Sequence, residues 1–348
     1  MTDSITISPP DDWHLHLRDG AMLETVVGHS ASQFTRAMVM PNLVPPATQC
    51  QQLLDYRQRI LAALPDDSQF NPIMALYLTD QLDEAEISEA ASNPHIGAVK
   101  LYPAGATTNS DAGIGDLQAI YPILELMEKH DLPLLVHGEV TDPEVDIFDR
   151  EAVFLERHLQ PIIDTFTNLR VVLEHVTTAH GIAFVEQARS GVAGTLTAHH
   201  LLLNRNHLLV GGIQPHHYCL PVLKRESHRL ALIAAATSGN PRFFAGTDSA
   251  PHPKSEKESA CGCAGIYTAP IAIELYAEVF DNANSLNRLE GFLSHHGADF
   301  YRLPHNPGEI TLQRNPCPVE REFGQDEQRV VPLRAGGWCQ WQILSRTN

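Results

Sequence analysis

"DDWHLHLRDG", residues 11–20, sets His14 and His16 on either side of one leucine and places Arg18 two positions further on. The inner run "WHLHL" (13–17) is apolar at alternate positions and of strand length. In a strand, residues i and i+2 face the same side, so the two imidazoles and the guanidinium share a face. Two surface histidines are one reading of such a pair. The other is the end of a buried strand, where paired imidazoles suit a borderline metal such as zinc.

The rest of the chain decides what that face belongs to. Seven more runs of the same character follow: "RAMVMPN" (36–42), "PIMALYLT" (72–79), "IGAVKLY" (96–102), "LPLLVHGE" (132–139), "LRVVLEHV" (169–176), "VAGTLTAHHL" (192–201) and "PRFFAGTDS" (241–249). Such apolar runs are typical of parallel strands covered on both faces. Between them lie amphipathic stretches. "DLQAIYPILELMEKH" (116–130) carries apolar residues on one helical face, with Pro122 marking a kink or a later start. "DEAEISEAAS" (83–92) and "PVLKRESHRLALIAAATS" (221–238) are similar. Eight strand–helix units predict an α/β chain folded as a (β/α)8 TIM barrel. A doubly wound sheet is the rival, but no G-x-G-x-x-G follows the first strand and no P-loop motif occurs. The 348 residues are read as one domain, with the barrel core at about 11–303 and a Pro- and Gly-rich extension, 304–348, packed on it.

Composition narrows the function classes. The formal net charge of −18 argues against nucleic acid or an acidic membrane as partner. No apolar run is long enough for a membrane span, and "MTDSITISPPDDW" lacks a basic region followed by an apolar one, so a cytoplasmic location is expected. Six cysteines are then expected as free thiols. Cys261-Gly-Cys263 has no matching second pair and reads as a glycine-containing loop rather than a zinc site.

Barrel active sites lie at the C-terminal ends of the strands. The fourth run carries Lys100, the fifth ends near His137, the sixth near His175, and the eighth at Asp248 followed by His252. A lone buried histidine is usually a hydrogen-bonded core residue. Four histidines (His14, His16, His137 and His175), Asp248 and Lys100 on one rim point instead to a metal centre. Lys100 inside an apolar strand is costly unless paired or neutral. It either pairs with an acidic neighbour or reacts, as the neutral amine, with carbon dioxide. The carbamate so formed can bridge two cations about 3.5–4 Å apart.

With these residues in place the chain resembles the metal-dependent amidohydrolase superfamily, and within it the single-function bacterial dihydroorotase family. The blocks "DDWHLHLRDG", "MPNLVPP", "VKLYPAGATTNS", "VHGE", "EHVTT", "TAHHL" and "GTDSAPH" carry the resemblance, in order, from residue 11 to about 265. It implies two Zn2+ per subunit, one on His14, His16 and Asp248 and the other on His137 and His175, bridged by carboxylated Lys100 and a hydroxide. It implies that Arg18, Asn42 and His252 hold a substrate carboxylate. Thr107 and Thr108 would sit on a closing loop, and backbone groups at Leu220 and Ala264 would contact a pyrimidine ring. The implied reaction is reversible cyclisation of N-carbamoyl-L-aspartate to L-dihydroorotate in pyrimidine synthesis. In it the metal hydroxide attacks the cyclic amide and Asp248 acts as general acid and base. The family also implies a homodimer.

The residues agree with that assignment. The Arg18 fork suits a carboxylate, and "PAGATTNSDAG" (103–113) has the small polar character of a lid. His199 and His200, adjacent on the seventh run, are expected on opposite faces in a structural role. Cys219, Cys261 and Cys263 flank the ring contacts and predict sensitivity to oxidation. Two alternatives stand beside this reading. A hydantoinase- or allantoinase-like cyclic amidohydrolase would keep the metals and lack the carboxylate clamp. A catalytically inactive amidohydrolase-fold scaffold would have lost ligands.

Overall fold

The computed structural model describes residues 3–347. Its strands are β1 (Ser4–Ile7), β2 (Asp11–Leu15), β3 (Arg36–Val39), β4 (Asn71–Tyr77), β5 (Ile96–Leu101), β6 (Leu134–Val136), β7 (Val171–Leu173), β8 (Val192–Leu196), β9 (Phe243–Ala245), β10 (Glu309–Gln313), β11 (Cys317–Pro318), β12 (Trp338–Cys339) and β13 (Gln342–Thr347). β2 to β9 form one sheet in sequential order, every neighbouring pair parallel. Backbone bonds from Asp248 N to His14 O (2.8 Å) and from His16 N to Ser249 O (3.2 Å) join its two ends. The chain is therefore a (β/α)8 barrel, as the eight apolar runs predict.

β2 is as long as its run but starts two residues earlier, the other barrel strands are shorter than theirs, and helices begin where local chemistry allows. Glu84–Ser92 is capped by Asp83, whose side chain accepts from Glu86 N. The helix expected from residue 116 starts at Tyr121, with Pro122 in its first turn, where a missing N–H costs nothing.

Inside the barrel, alternate residues of each strand stack in layers. Met38 and Met40, Ile73 and Ala75, Ala98, Leu135, Val172, Ala193 and Phe244 form the lower layers with Trp13. Moving two residues up each strand gives the upper layer: Asn42, Tyr77, Lys100, His137, Glu174, Thr195 and Gly246. The apolar floor and the polar mouth are thus successive turns of one period-two pattern.

β2 departs from that period. Asp12 to Leu15 spans the same length as Ala37 to Val39 on β3, so β2 holds one extra residue. Such a bulge re-aims side chains. Here it lets Trp13 join the floor while His14 faces the mouth. The Asp12 carboxylate accepts from His14 N (3.1 Å) and from Thr247 N (2.8 Å) and Oγ1 (2.6 Å), tying the bulge to the β9 end.

The floor is closed by the helix His296–Phe300 and by Tyr301, which stacks on Trp13 with ring centroids 4.4 Å apart. Gly297 of this helix lies directly against the Trp13 indole, leaving no room for a Cβ. Alanine normally favours a helix over glycine. Here Gly297→Ala is expected to lower stability by about 1–3 kcal/mol, through overpacking. Urea unfolding of the two proteins, read by tryptophan fluorescence, checks this.

The C-terminal extension does more than coat the barrel. β10 lies between β1 and β13, antiparallel to both, so the first strand of the chain is paired with its end. Trp341 is buried there, its Nε1 donating to Asp281 at 3.2 Å. Among the described residues no helix is long and apolar enough to cross a membrane, and the six cysteines are free thiols.

Candidate metal centre

His14, His16 and Asp248 are brought together at the mouth, with one potential ligand atom from each inside a 4.8 Å cluster. Their order follows from outer partners. His14 Nδ1 is 2.8 Å from Glu174 Oε2, and His16 Nδ1 is 2.8 Å from Asn42 Oδ1. Both partners are acceptors, so each Nδ1 carries the proton and donates. That leaves both Nε2 atoms bare, 3.2 Å from each other. They lie 3.5 Å and 3.1 Å from Asp248 Oδ1. Three buried lone-pair donors converge with no proton between them. That arrangement repels itself until a cation enters it, and it is the fit expected of a metal cradle.

The other predicted ligands adjoin it. The His175 ring lies 5.1 Å from that of His14 and 4.8 Å from that of His137, centroid to centroid. His175 Nδ1 is buried without a hydrogen-bond partner. Burial holds His16 (to about 4), His137 and His175 below the usual imidazole range, so they are neutral, the form that binds metals. For Asp248, burial alone would raise the carboxyl. Its contacts with the His16, His14 and His175 rings outweigh that and hold the group well below the ordinary range.

Lys100 is 0% exposed, and its Nζ has no hydrogen-bond partner. The acidic-neighbour alternative fails: among the described residues Glu174 and Asp248 act on it only as more distant charges. Burial lowers its amine to about 8, against those two charges. A buried amine of this kind is neutral for much of the time near pH 8, which is the reactive form towards carbon dioxide.

Several rim residues adopt left-handed backbone, which costs a non-glycine residue of order 1 kcal/mol and clusters at functional sites. Arg18 has φ +60°, His175 +40° and Asp248 +45°. Arg18 therefore reaches the mouth by a turn after β2, and strand alternation does not place it. Its Nη2 lies 3.0 Å from His252 Nε2, which is also 3.0 Å from Ala264 O, and its Nε donates to Pro251 O (3.0 Å). At His175 the turn lets two neighbours, Glu174 and His175, both face inward.

The remaining predicted residues meet less directly. Asn42 Nδ2 donates to Thr108 O (3.0 Å), Thr108 Oγ1 donates to Ala264 O (3.2 Å), and Asn109 Nδ2 donates to Asn42 O (3.1 Å), so the 103–113 loop lies on the rim. Among the described residues Thr107 bonds only within its loop: its N–H donates to Ser110 Oγ and its carbonyl accepts from the same hydroxyl. The segments that carry Leu220 and Ala264 are joined through Lys257, whose buried ammonium donates to Tyr218 O (2.9 Å) and Cys263 O (2.7 Å). His199 and His200 lie on the short helix Ala198–Leu202 and both are buried, so they do not occupy opposite faces of a strand.

Sequence reasoning missed three residues: Lys257, Glu174 and Glu139, which is 3.1 Å from His137 Nε2. Counting in twos from Val172 would have put Glu174 inside. Glu174 also accepts from Thr195 Oγ1 at 2.6 Å, so its Oε2 anchors His14 from a fixed position. Glu174→Gln is expected to weaken metal retention about 10–100-fold, the usual loss when a partner of a ligating histidine is changed. Competition with a chelator of known affinity measures it.

The amidohydrolase family model matches residues 10–317. A dihydroorotase of Ralstonia pickettii is 60% identical over 344 residues, covering 99% of this chain and 100% of that one. The crystal structure of dihydroorotase from Saccharomyces cerevisiae in complex with 5-fluoroorotic acid aligns with a TM-score of 0.91 at 33% identity, covering 98% of each chain. An L-hydantoinase of Arthrobacter aurescens aligns with a TM-score of 0.80, covering 99% of this chain and 84% of that one. At 14% identity it shares the fold alone.

Proposed function

The chain belongs to the amidohydrolase family, and from that premise we propose that it is a dihydroorotase, interconverting L-dihydroorotate and N-carbamoyl-L-aspartate in pyrimidine biosynthesis. The full-length similarity to relatives of that name carries this reading. The hydantoinase-like and scaffold alternatives are not favoured. An inactive scaffold has no use for converging buried lone pairs, and the hydantoinase likeness goes no further than the fold.

We further propose that the cations are zinc. His14, His16 and Asp248 would hold one, His137 and His175 the other, and Lys100 as a carbamate would bridge them. When bound, such cations supply Lewis acidity and make water available as a nucleophile near neutral pH. The chain's own residues do the rest. Arg18, with His252 and Asn42, binds the free carboxylate and fixes which ring carbonyl faces the cradle. Burial, followed by the charges of Arg18 and Lys257, holds His252 down at about 2, so it serves as a neutral hydrogen-bonding group. Backbone at Leu220 and Ala264 meets the ring, and Thr107 and Thr108 on the 103–113 loop exclude water. Asp248 takes the proton of the attacking water and returns it to the leaving ring nitrogen; ring closure runs the same transfer backwards. A cytoplasmic homodimer is the setting we propose for the enzyme.

The carboxylate clamp supplies the test. Arg18→Met is expected to lower kcat/KM for L-dihydroorotate by about 10–100-fold, the value of a hydrogen-bonded charge, mainly through KM. The preference over dihydrouracil, which lacks the carboxylate, should shrink with it. A wild-type enzyme that opened dihydrouracil or hydantoin as readily as dihydroorotate would overturn the assignment.

A further inference from the structure

We propose that His199, His200 and Cys219 form a second metal-binding locus, a site for one soft or borderline divalent cation of the zinc, cobalt or cadmium class. The cluster does not depend on the reaction assigned to the barrel mouth.

The three residues come from two segments that meet behind the rim. His199 and His200 lie in the helix Ala198–Leu202, which starts where β8 ends. Cys219 opens the stretch that leads through Leu220 to Pro221. All three are buried, and one potential ligand atom from each lies within 4.8 Å of the others. The closest pair, His200 Nε2 and Cys219 Sγ, is 3.7 Å apart. In a tetrahedral zinc site, bonds of about 2.0 Å to nitrogen and 2.3 Å to sulfur place those atoms about 3.5 Å apart. That edge of the site is already at ligand spacing.

An independent observation concerns His199. It is 0% exposed, and neither ring nitrogen has a hydrogen-bond partner among the described residues. Buried imidazoles are normally fixed by at least one bond. No hydrogen bond fixes this ring, and its centroid is 4.5 Å from that of His200. Its two ring nitrogens are thus uncommitted to any other partner, and one of them lies inside the 4.8 Å cluster. His200 is held as a ligand should be. Its Nδ1 is 2.8 Å from Thr197 Oγ1, a partner able to accept the ring proton and turn Nε2 towards the cation.

The proton balance is simple. Without a cation, the Cys219 thiol donates to Pro221 O (3.3 Å), and His200 Nε2 lies 2.9 Å from the same oxygen. Binding releases the thiol proton to solvent and moves the His200 proton from Nε2 to Nδ1. Thiolate and two imidazoles form a set that favours zinc-like ions over magnesium or calcium. The bound ion would clamp the end of β8 to the segment carrying Leu220. Its effect on ring binding rests on the dihydroorotase reading; the site itself does not.

Sulfur separates this locus from the mouth, whose predicted ligands contain none. The test uses full-length enzyme carrying Cys261→Ser and Cys263→Ser, because His252, Glu256 and Cys263 form another potential cluster. Zinc-loaded protein is examined by X-ray absorption, and cobalt-loaded protein by its sulfur-to-metal charge-transfer band. We expect one sulfur scatterer and a thiolate band. Both should vanish in Cys219→Ser, and His199→Phe should weaken the corresponding cobalt affinity about 100-fold or more. A zinc shell of nitrogen and oxygen only, or a thiolate band that survives Cys219→Ser, overturns the proposal. Should Cys219→Ser fail to fold, the sulfur signal of the parent protein alone decides.

Discussion

Lys100→Ala is expected to give a folded protein with little bound metal and turnover reduced at least about 100-fold, more than the loss of an outer partner of a ligand produces. The argument starts from burial. A fully enclosed, unpartnered amine is among the least tolerable groups in a core, and Lys100 is such an amine. Carboxylation would convert it into an anion with two oxygens to offer cations held by the lone-pair cradle and the paired imidazoles. Removing the side chain would remove those oxygens and leave a cavity of that length. Acetate or propionate can enter that cavity, so partial recovery with added short carboxylic acids is expected for Lys100→Ala. No recovery is expected for Lys100→Met, which fills the space. Metal content and steady-state rates measured side by side check this. Full metal occupancy and turnover in Lys100→Met would show the lysine to be structural.

The second large effect is at Asp248. Asp248→Asn keeps the shape and the backbone bond from residue 248 N to His14 O that helps close the barrel. It removes the one carboxylate of the His14–His16 cluster and, with it, the group assigned to carry the proton to the ring nitrogen. General acid–base catalysis is worth about 10²–10⁴-fold, and kcat should fall by that amount or more. KM should change less, because Arg18 and His252 are untouched. A drop confined to KM, or a kcat within tenfold of the parent, would remove Asp248 from the proton path.

The barrel was legible because its strands are buried on both faces and so are written as apolar runs. Six rim residues were legible because each lies within one of those runs. What escaped has local causes. Arg18 sits where backbone at φ +60° has left the strand, so counting in twos gave the right destination by the wrong route. Glu174 was hidden by its neighbour: alternation from Val172 points it inward, and the left-handed turn at His175 brings in a second side chain that alternation would exclude. The bulge in β2 leaves no mark in composition, yet it separates Trp13 in the floor from His14 in the mouth. His199 and His200 were read as strand, whereas Thr197 caps a helix there, accepting from His200 N at 3.1 Å. The pairing of β1 with β10 joins Ser4 to Gln313 across nearly the whole chain, a contact no local pattern encodes.

The central claim is that the mouth of this barrel is a metal centre that opens the dihydroorotate ring. The most direct measurement is L-dihydroorotate turnover by purified protein, with metal counted per chain, before chelation, after it and after return of zinc. The account predicts activity that disappears with the metal and returns as two zinc ions per chain are restored at the mouth, any sulfur-bound ion being counted apart. Undiminished turnover by the metal-free protein, or none from a folded protein with both positions filled, would contradict it.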